Sequence, residues 1–260
     1  MRIGIIGHGY VGKAIAWAHR HQDIVIRDPI LENSADLTKF KDCSGIFVCV
    51  PSPMLEDGRC DTSILEQVLK ELLFVIINAP IPIICKTTAP PSIYAKLQAA
   101  YPNIVHCPEF LTANDNLNNY TNTSYFVLGG SPYWTSKASA IIQSGVPLVP
   151  ECFNMTDIRT AALYKYMMNS YLATKVTFMN DFKQLADAEG VNFKDLIQLS
   201  VMDYRIGCTH MAVPGPDGRD GWGGGCFPKD ISAIITEAHE LGAEMNLLSS
   251  VTTINNKHRK

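Results

Sequence analysis

The sequence predicts an α/β protein in two parts, a doubly wound parallel sheet over residues 1–152 followed by an all-helical part with one long helix over residues 153–260. Two observations predict this division. Up to about residue 150, short β-branched runs alternate with helical patterns, as in a parallel sheet whose crossovers are helices. Beyond Pro150 the strand signal stops, and apolar residues recur at helical spacing.

The predicted sheet has six strands. Several of these runs are apolar throughout, which is typical of strands that helices cover on both faces. The predicted strands are Ile3 to Ile6, Ile24 to Ile26, Ile46 to Val50, Ile81 to Cys85, Ile104 to Cys107 and Tyr125 to Leu128.

One long helix is predicted in the second part. Polar residues 154–157 precede apolar residues at helical spacing, and Gly190 stands where a helix-ending glycine is expected. Such a helix would span about 33 residues, or roughly 50 Å. Because a helix of this length can offer a surface to a second subunit, we expect a homodimer that forms through it. Residues 208–225 predict a loop, with two further helices from about residue 228.

Composition excludes several classes of function. The formal charge is -3, so there is no electrostatic pull toward nucleic acid or an anionic membrane, and we expect neither partner. No apolar stretch reaches the roughly 20 residues of a membrane helix. The start of the chain lacks a signal-peptide pattern, which predicts a cytoplasmic protein. The 8 cysteines lack a Cys-x-x-Cys pair, which predicts reduced thiols and no metal site.

A glycine pattern follows the first predicted strand and opens a helix. Gly7 permits the tight turn, Gly9 lets the backbone approach a pyrophosphate, and Gly12 lets helix and strand pack closely. Asp28 ends the second strand, where a carboxylate binds the ribose hydroxyls of NAD, although the neighbouring Arg27 leaves some room for NADP. The pattern predicts a Rossmann-type NAD-binding domain, and the alternative is a glycine turn beside a surface aspartate. The cofactor-binding run is Gly7, His8, Gly9, Tyr10, Val11 and Gly12.

Cys226 is the candidate nucleophile. Three glycines precede it, and Pro228 is a good first residue for the helix that follows. Cys226 would therefore stand just before a helix N-terminus, where the dipole and free N–H groups favour a thiolate. An inert core position is instead the interpretation for Cys43, Cys49, Cys85, Cys107 and Cys208.

The long helix carries a polar pair within an apolar stretch. Lys165 and Asn169 are spaced i, i+4 and point from one face. A buried ammonium needs a partner or a chemical task. The alternative is a surface lysine whose stem lies along aromatic rings.

Together these residues make the chain resemble the UDP-glucose/GDP-mannose dehydrogenase family, whose members oxidise a nucleotide-sugar alcohol twice, to the uronic acid, with two NAD molecules. The resemblance covers nearly the whole chain and rests on motifs in a fixed order. They are Gly7-His-Gly-Tyr-Val-Gly12, Val50-Pro-Ser-Pro53, Lys86-Thr-Thr-Ala-Pro90, Cys107-Pro-Glu-Phe-Leu111, Lys165-x-x-x-Asn169, Arg205-Ile-Gly207 and Gly223-Gly-Gly-Cys-Phe-Pro-Lys-Asp230.

The resemblance implies a set of site residues. The implied catalytic residues are Thr88, Glu109, Lys165, Asn169, Cys226 and Asp230. Beyond the glycine run and Asp28, the implied cofactor-binding residues are Val50, Pro51, Ser52, Thr88 and Lys229. The implied substrate-binding residues are Glu109, Phe110, Leu111, Lys165, Asn169, Arg205, Gly223 and Gly224.

The resemblance also implies a mechanism. Water held by Asp230, with Lys165 nearby, would take the alcohol proton, and Cys226 would attack the resulting aldehyde to form a thiohemiacetal and then a thioester. Lys165 and Asn169 would stabilise the oxyanion. Glu109 would act as the general base in thioester hydrolysis, while Thr88 helps to hold the water.

Two departures from the family pattern carry consequences. Ala113 stands where the family commonly has a second glutamate, which predicts slower hydrolysis. Family members continue past the helix that ends near Lys257 into a further nucleotide-binding domain, and we expect that a separate chain can supply this domain. The resemblance also implies that Arg205 reaches the substrate across the dimer interface. The alternatives are a two-electron β-hydroxyacid dehydrogenase, which has no use for Cys226, and a non-catalytic NAD-binding fragment that pairs with another chain.

Overall fold

The computed structural model describes residues 1–77, 79–110 and 120–260. The chain divides into two compact units. The first unit comprises Met1–Leu55 with Cys60–Lys165, and the second unit comprises Glu56–Arg59 with Tyr166–Lys260. This division lies inside the long helix, and the domain boundary expected at residues 152 and 153 stays a prediction.

In the described part of the chain, the first unit contains one seven-stranded sheet in the order β2-β1-β3-β4-β5-β6-β7. All neighbouring strands pair in parallel except β5 and β6, which pair antiparallel through His106 and Gly129. The strands are β1 Arg2–Ile6, β2 Asp23–Arg27, β3 Gly45–Val48, β4 Ile83–Cys85, β5 Ile104–His106, β6 Phe126–Gly129 and β7 Phe153–Thr156.

The predicted fold class is confirmed, with two corrections to the sheet. The expected sheet was parallel throughout, whereas β6 runs antiparallel to β5. The seventh strand, β7, lies where polar residues predicted only the approach to a helix. It is an edge strand with only Phe153 buried, so it lacks the continuous apolar run by which the covered strands are recognised.

Helices cover both faces of this sheet, as the pattern of β3 shows. Ile46 and Val48 pack in one core cluster, whereas Phe47 between them packs in the other. Leucines of α2 belong to the first cluster and Ile15 of α1 to the second. The first unit includes the helices α1 Tyr10–Ala18, α2 Ser63–Val75, α3 Pro91–Ala100 and α4 Pro132–Gln143, with 3-10 helices at Leu37–Asp42 and Pro150–Cys152.

The long helix α5 spans Ile158–Ala188, 31 residues, and continues from the first unit into the second. The Asp157 side chain accepts hydrogen bonds from the backbone N–H groups of Arg159 and Thr160, both at 3.0 Å, and so caps its start. Gly190 has φ +70° just beyond its end, as predicted. The remaining helices of the second unit are α6 Phe193–Ser200, α7 Phe227–Glu240 and α8 Asn246–His258.

α6 lies where no separate helix is predicted, and it is short, with Asn192 capping its first turn through the backbone N–H of Lys194. No helix among the described residues combines the length and apolarity needed to cross a bilayer.

Candidate active site

The turn between β1 and α1 leaves no room for side chains at two of its glycines. Gly7 has φ +90°, and a Cβ there would lie 2.5 Å from the carbonyl oxygen of Cys49. A Cβ on Gly12 would lie 1.9 Å from the carbonyl oxygen of Gly7. At Gly9, by contrast, a Cβ would meet nothing within 4 Å. The turn is therefore packed from beneath and open at Gly9, which is the space that a pyrophosphate would need.

The N-terminus of α1 also fits an anionic ligand. Gly9 occupies the N-cap position, and no side chain caps the helix there. N–H groups at a helix N-terminus, together with the helix dipole, attract an anion. The residues of this turn fit the pyrophosphate of a dinucleotide.

Asp28 follows β2 directly and is fixed beside the same turn. Its Oδ2 accepts a hydrogen bond from the backbone N–H of His8 at 2.6 Å, and its Oδ1 accepts one from Ile30 at 3.0 Å. These bonds hold the pKa of Asp28 below its ordinary value, so the carboxylate is ionised and aimed. Each carboxylate oxygen keeps a further lone pair for a ribose hydroxyl. The Arg27 guanidinium donates to the carbonyl of Ala35 at 3.2 Å.

Hydrogen bonds join the segments that follow β3 and β4. The Ser52 hydroxyl donates to the carbonyl of Thr88 at 2.7 Å, and the Thr87 hydroxyl donates to the carbonyl of Val50 at 2.8 Å. The predicted cofactor residues Val50, Pro51 and Ser52 and the predicted water-holding Thr88 therefore form one stretch at the carboxyl ends of neighbouring parallel strands. Ligands of doubly wound sheets bind at that edge.

A buried ion pair lies farther along this edge. Lys86 directly follows β4, and its side chain is only 1% exposed. Its Nζ lies 3.0 Å from Oε2 of Glu109, whose side chain is 16% exposed. Burial is the largest single effect on the Lys86 ammonium and lowers its pKa, but the interactions with Cys107 and Glu109 together outweigh burial, and the net shift is upward. Lys86 carries no predicted role, although it stands in one of the motifs.

Lys165 belongs to the same cluster within the first unit. It is 8% exposed, so the alternative of a surface lysine is wrong. Its Nζ donates a hydrogen bond to the carbonyl oxygen of Glu109 and lies 4.7 Å from the centre of the Phe110 ring. Lys165, Glu109 and Phe110 are thus brought together, as the resemblance implies, whereas Leu111 lies outside the described residues.

Cys226 in the second unit is exposed and occupies the N-cap position of α7. The helix begins at Phe227, so Pro228 is its second residue, whereas the sequence predicted it to be the first. The preceding Gly224 has φ +75°, and a Cβ on Gly224 or Gly225 would meet nothing within 4 Å. The thiol therefore stands at a helix N-terminus with open space before it.

Cys208 corrects a further prediction, because it is exposed and not a core residue. The predicted core positions Cys43, Cys85 and Cys107 are buried, and Cys49 is half-buried.

Asp230 connects Asn169 and Lys229 inside the second unit. The carboxylate is 2% exposed, and its Oδ2 accepts a hydrogen bond from Asn169 Nδ2 at 2.6 Å. Its Oδ1 pairs with Lys229 Nζ at 2.5 Å. Asn169 and Asp230 are therefore brought together as predicted, and Lys229, predicted to bind the cofactor, forms an ion pair with Asp230.

The loop that leads to Cys226 is held by side chains that no motif predicts. Asn255 on α8 accepts from the backbone N–H of Trp222 at 2.6 Å and donates to its carbonyl at 3.0 Å. Asn180 accepts from the N–H of Gly221 at 2.9 Å, and Thr177 accepts from the Trp222 indole at 2.9 Å. A polar residue on the apolar face of α8 is the only sequence signal for Asn255. These contacts fix the backbone just ahead of the glycines.

Arg205, a predicted substrate residue, is exposed and paired locally. Its Nε lies 2.9 Å and 3.0 Å from the two carboxylate oxygens of Asp203. The described residues contain no group of three or more His, Cys, Asp or Glu that could hold a metal ion.

Two family models match the chain. Residues 26–143 match the UDP-glucose/GDP-mannose dehydrogenase family, NAD binding domain, and residues 159–257 match the central domain of the same family. The prediction of NAD as the cofactor is confirmed by the first of these matches.

Similar proteins carry related names. The chain is 28% identical over 295 residues to "Putative UDP-glucose 6-dehydrogenase YtcA" of Bacillus subtilis, which covers 98% of the chain and 67% of that protein. It is 31% identical over 228 residues to a UDP-glucose 6-dehydrogenase of Rickettsia prowazekii, which covers 84% of the chain and 50% of that protein. The chain thus spans between half and two thirds of the length of these curated relatives.

Solved structures share the fold. A UDP-glucose dehydrogenase from Pyrobaculum islandicum matches with a TM-score of 0.83 at 23% identity, over 98% of this chain and 68% of that one. The 3-hydroxyisobutyrate dehydrogenase of Mycobacterium tuberculosis matches with a TM-score of 0.74 at 15% identity, over 99% of this chain and 94% of that one. At these identities the likeness shows the fold alone.

Proposed function

The chain belongs to the UDP-glucose/GDP-mannose dehydrogenase family, and we propose that it is the NAD-binding and catalytic core of an enzyme that oxidises the primary alcohol of a nucleotide sugar to the uronic acid. The observation that carries this proposal is the exposed Cys226 thiol at the N-terminus of α7. A four-electron oxidation needs a nucleophile that retains the aldehyde between its two steps, whereas a two-electron dehydrogenase needs none.

The first oxidation converts the alcohol to an aldehyde. NAD, when bound at the glycine turn, accepts the electrons of each oxidation. The chain has to take the alcohol proton, and we assign this to a water held by Asp230, assisted by Lys165. The hydrogen bond from Asn169 and the ion pair with Lys229 support this role, because they fix the Asp230 carboxylate in one orientation.

The second oxidation takes place on the substrate while it is bonded to Cys226. The Cys226 thiol gives up its proton to solvent water, its sulfur forms a bond to the aldehyde carbon as the carbon–oxygen π bond breaks, and the carbonyl oxygen becomes the oxyanion of a thiohemiacetal. We assign stabilisation of that oxyanion to the Lys165 ammonium and the Asn169 amide. Loss of two further electrons from the same carbon leaves a thioester.

Hydrolysis releases the acid. Glu109 takes a proton from water, which Thr88 helps to hold, as the oxygen of that water bonds to the thioester carbon. The carbon–sulfur bond breaks, the proton returns to sulfur, and the Cys226 thiol is restored. The half-exposed position of Thr88 and the oriented carboxylate of Glu109 support these assignments.

We further propose a homodimer that forms through α5. In the second unit, five large apolar side chains of α5 are each at least 45% exposed although they recur at helical spacing. They are Met167, Tyr171, Phe178, Phe182 and Leu185. A second copy of the same stripe is a matching surface, since dimers with twofold symmetry bury the same patch on both subunits. The partner-crossing role of Arg205, a cytoplasmic location and a separate nucleotide-binding chain stay predictions.

The test supplies NAD with UDP-glucose, UDP-N-acetyl sugars or GDP-mannose and counts the NADH formed per sugar oxidised. We expect two NADH per sugar and release of the uronic acid. Cys226→Ser should abolish acid release, whereas Cys208→Ser, which alters another exposed cysteine, should leave it unchanged. If small hydroxyacids are supplied in place of the nucleotide sugars, one NADH per hydroxyacid oxidised would instead establish a β-hydroxyacid dehydrogenase. NAD binding without turnover of any of these substrates would establish a non-catalytic fragment.

A further inference from the structure

Lys86 is a buried cation to which the proposed mechanism assigns nothing. It directly follows β4 at the edge of the sheet where the cofactor residues lie, and its side chain is 1% exposed. An ammonium group loses its hydration on burial, and it is retained in a protein interior only where partners replace that water. The groups that contact the Lys86 ammonium therefore indicate its role.

The Lys86 ammonium donates two hydrogen bonds and forms one ion pair. Its Nζ lies 3.0 Å from Oε2 of Glu109, 3.3 Å from the carbonyl oxygen of Pro108 and 3.3 Å from the sulfur of Cys107. The rings of Tyr120 and Phe126 lie 5.6 Å and 5.5 Å away. All three acceptors belong to the segment that follows β5, so Lys86 is directed at that segment.

Glu109 is held at several points. One carboxylate oxygen, Oε2, lies on Lys86, and the other, Oε1, accepts a hydrogen bond from the backbone N–H of Phe110 at 2.8 Å. Its carbonyl oxygen accepts a hydrogen bond from Lys165. Both the side chain and the backbone of this residue are therefore fixed from within the first unit.

We propose that Lys86 is a positioning residue for the hydrolytic step, which holds the Glu109 carboxylate in place. The inference rests on the proposed function, because it requires Glu109 to act as the general base. When Glu109 takes a proton from water, the buried ammonium loses its counter-charge. Return of that proton to the departing sulfur restores the ion pair, so Lys86 favours completion of the step.

Among the described residues, the other titratable groups around this pair are uncharged near neutral pH. Burial raises the pKa of the thiols of Cys49 and Cys107 and of the Tyr120 hydroxyl, and it lowers the pKa of His106 to about 3. Of the described residues, Lys165 is the other charged group near Glu109, and it contacts the backbone carbonyl of Glu109. Lys86 contacts the carboxylate itself.

The test is Lys86→Met, which keeps the length of the side chain and removes its charge. We expect the variant to form the first NADH at a wild-type rate, to accumulate the thioester on Cys226 and to hydrolyse it at least tenfold more slowly at neutral pH. Intact-protein mass spectrometry detects the thioester, and stopped-flow absorbance follows NADH.

The matched control is Lys70→Met, which removes the same charge from an exposed position on α2 and should change neither the rate of the first NADH nor the rate of hydrolysis. A folded Lys86→Met protein that hydrolyses the thioester at the wild-type rate would overturn the inference. A wild-type protein that forms no thioester would instead overturn the proposed function, whatever the Lys86 variants do.

Lys86→Met also leaves Glu109 without its cation, and the variant could fail to fold. In that case, Glu109→Gln is compared with the double variant Lys86→Met/Glu109→Gln, in which the pair is neutral. If Lys86 acts through Glu109, the two proteins hydrolyse the thioester equally slowly. A further loss of tenfold or more in the double variant would show that Lys86 acts by another route and would overturn the inference.

Discussion

Acid should unfold the first unit of this protein, because two of its histidines are buried without charge. His19 and His106 are both 0% exposed. Burial lowers the pKa of His19 to about 4, against a weaker opposing effect of Gln22, and lowers the pKa of His106 to about 3, against its hydrogen bond to the carbonyl of Cys85. In the unfolded chain both imidazoles return to a pKa of about 6.5. Unfolding therefore takes up protons at mildly acidic pH.

The sign and size of the effect follow from these values. A histidine whose pKa is lowered by folding contributes stability that is complete above pH 6.5 and is lost as the pH falls toward the folded value. At pH 5 the contribution of each histidine to the free energy of unfolding is smaller by about 2 kcal/mol, since one pKa unit corresponds to about 1.4 kcal/mol. The two together lose about 4 kcal/mol, a large part of the roughly 5–15 kcal/mol that stabilises a typical domain.

The assay is urea unfolding of the whole chain at intervals between pH 4.5 and 7.5. In the lower part of this range, the free energy of unfolding should fall by about 1.4 kcal/mol per pH unit for each buried histidine. His19→Phe, whose ring would lie against Phe47, should remove one such contribution from the slope, whatever it does to stability at pH 7.5. His21→Phe at an exposed position is the matched control. An unchanged slope in His19→Phe would refute the reasoning.

Three further outcomes are expected. Gly12→Ala should prevent NAD binding and lower the melting temperature, because its Cβ would overlap the carbonyl of Gly7. Gly9→Ala has space for its Cβ, so this variant should keep the melting temperature and weaken NAD binding at least tenfold. Calorimetry measures both the melting temperature and NAD binding. Asp28→Ala should raise the Kd for NAD at least tenfold in the same titration, since the ribose loses its acceptor. Asn255→Leu should destabilise the protein by about 1–3 kcal/mol for each buried backbone group of Trp222 that it leaves unsatisfied, and an unchanged unfolding midpoint would contradict this role.

Sequence patterns predicted what depends on local periodicity and on ordered motifs. The covered strands, the long helix and the glycine turn each carry a signal within a few residues, and the positions of Gly190 and Cys226 at helix ends followed from local rules. The edge strand β7 did not follow from such rules, because Phe153 is its only buried residue and it has no continuous apolar run. The antiparallel pairing of β6 depends on how the chain returns to the sheet, which no local pattern encodes.

Long-range contacts account for what the sequence left undetermined at the site. Lys86 and Glu109 are separated by 23 positions, and their pairing depends on β4 and β5 being neighbours. Asn255 holds a backbone segment 33 residues earlier in the chain. The residue type alone does not predict a buried, positioning role for Lys86 or Asn255, since lysine and asparagine are usually exposed. Burial identifies them, and burial of a polar side chain is a property of the folded chain.

The parallel register explains why motifs far apart in sequence act at one edge of the first unit. Asp28, Ser52, Lys86 and Glu109 each follow a strand within a few residues, so strand order sets their order along the edge. From β1, which carries the glycine turn, to β5, which precedes Glu109, there are three strand spacings, or about 14 Å at roughly 4.8 Å each. A dinucleotide seated on the turn must therefore extend across β3 to approach Glu109. The hydrogen bond from Ser52 to the carbonyl of Thr88 joins the ends of the two intervening strands, so it links the segments that lie between the glycine turn and the proposed hydrolytic base.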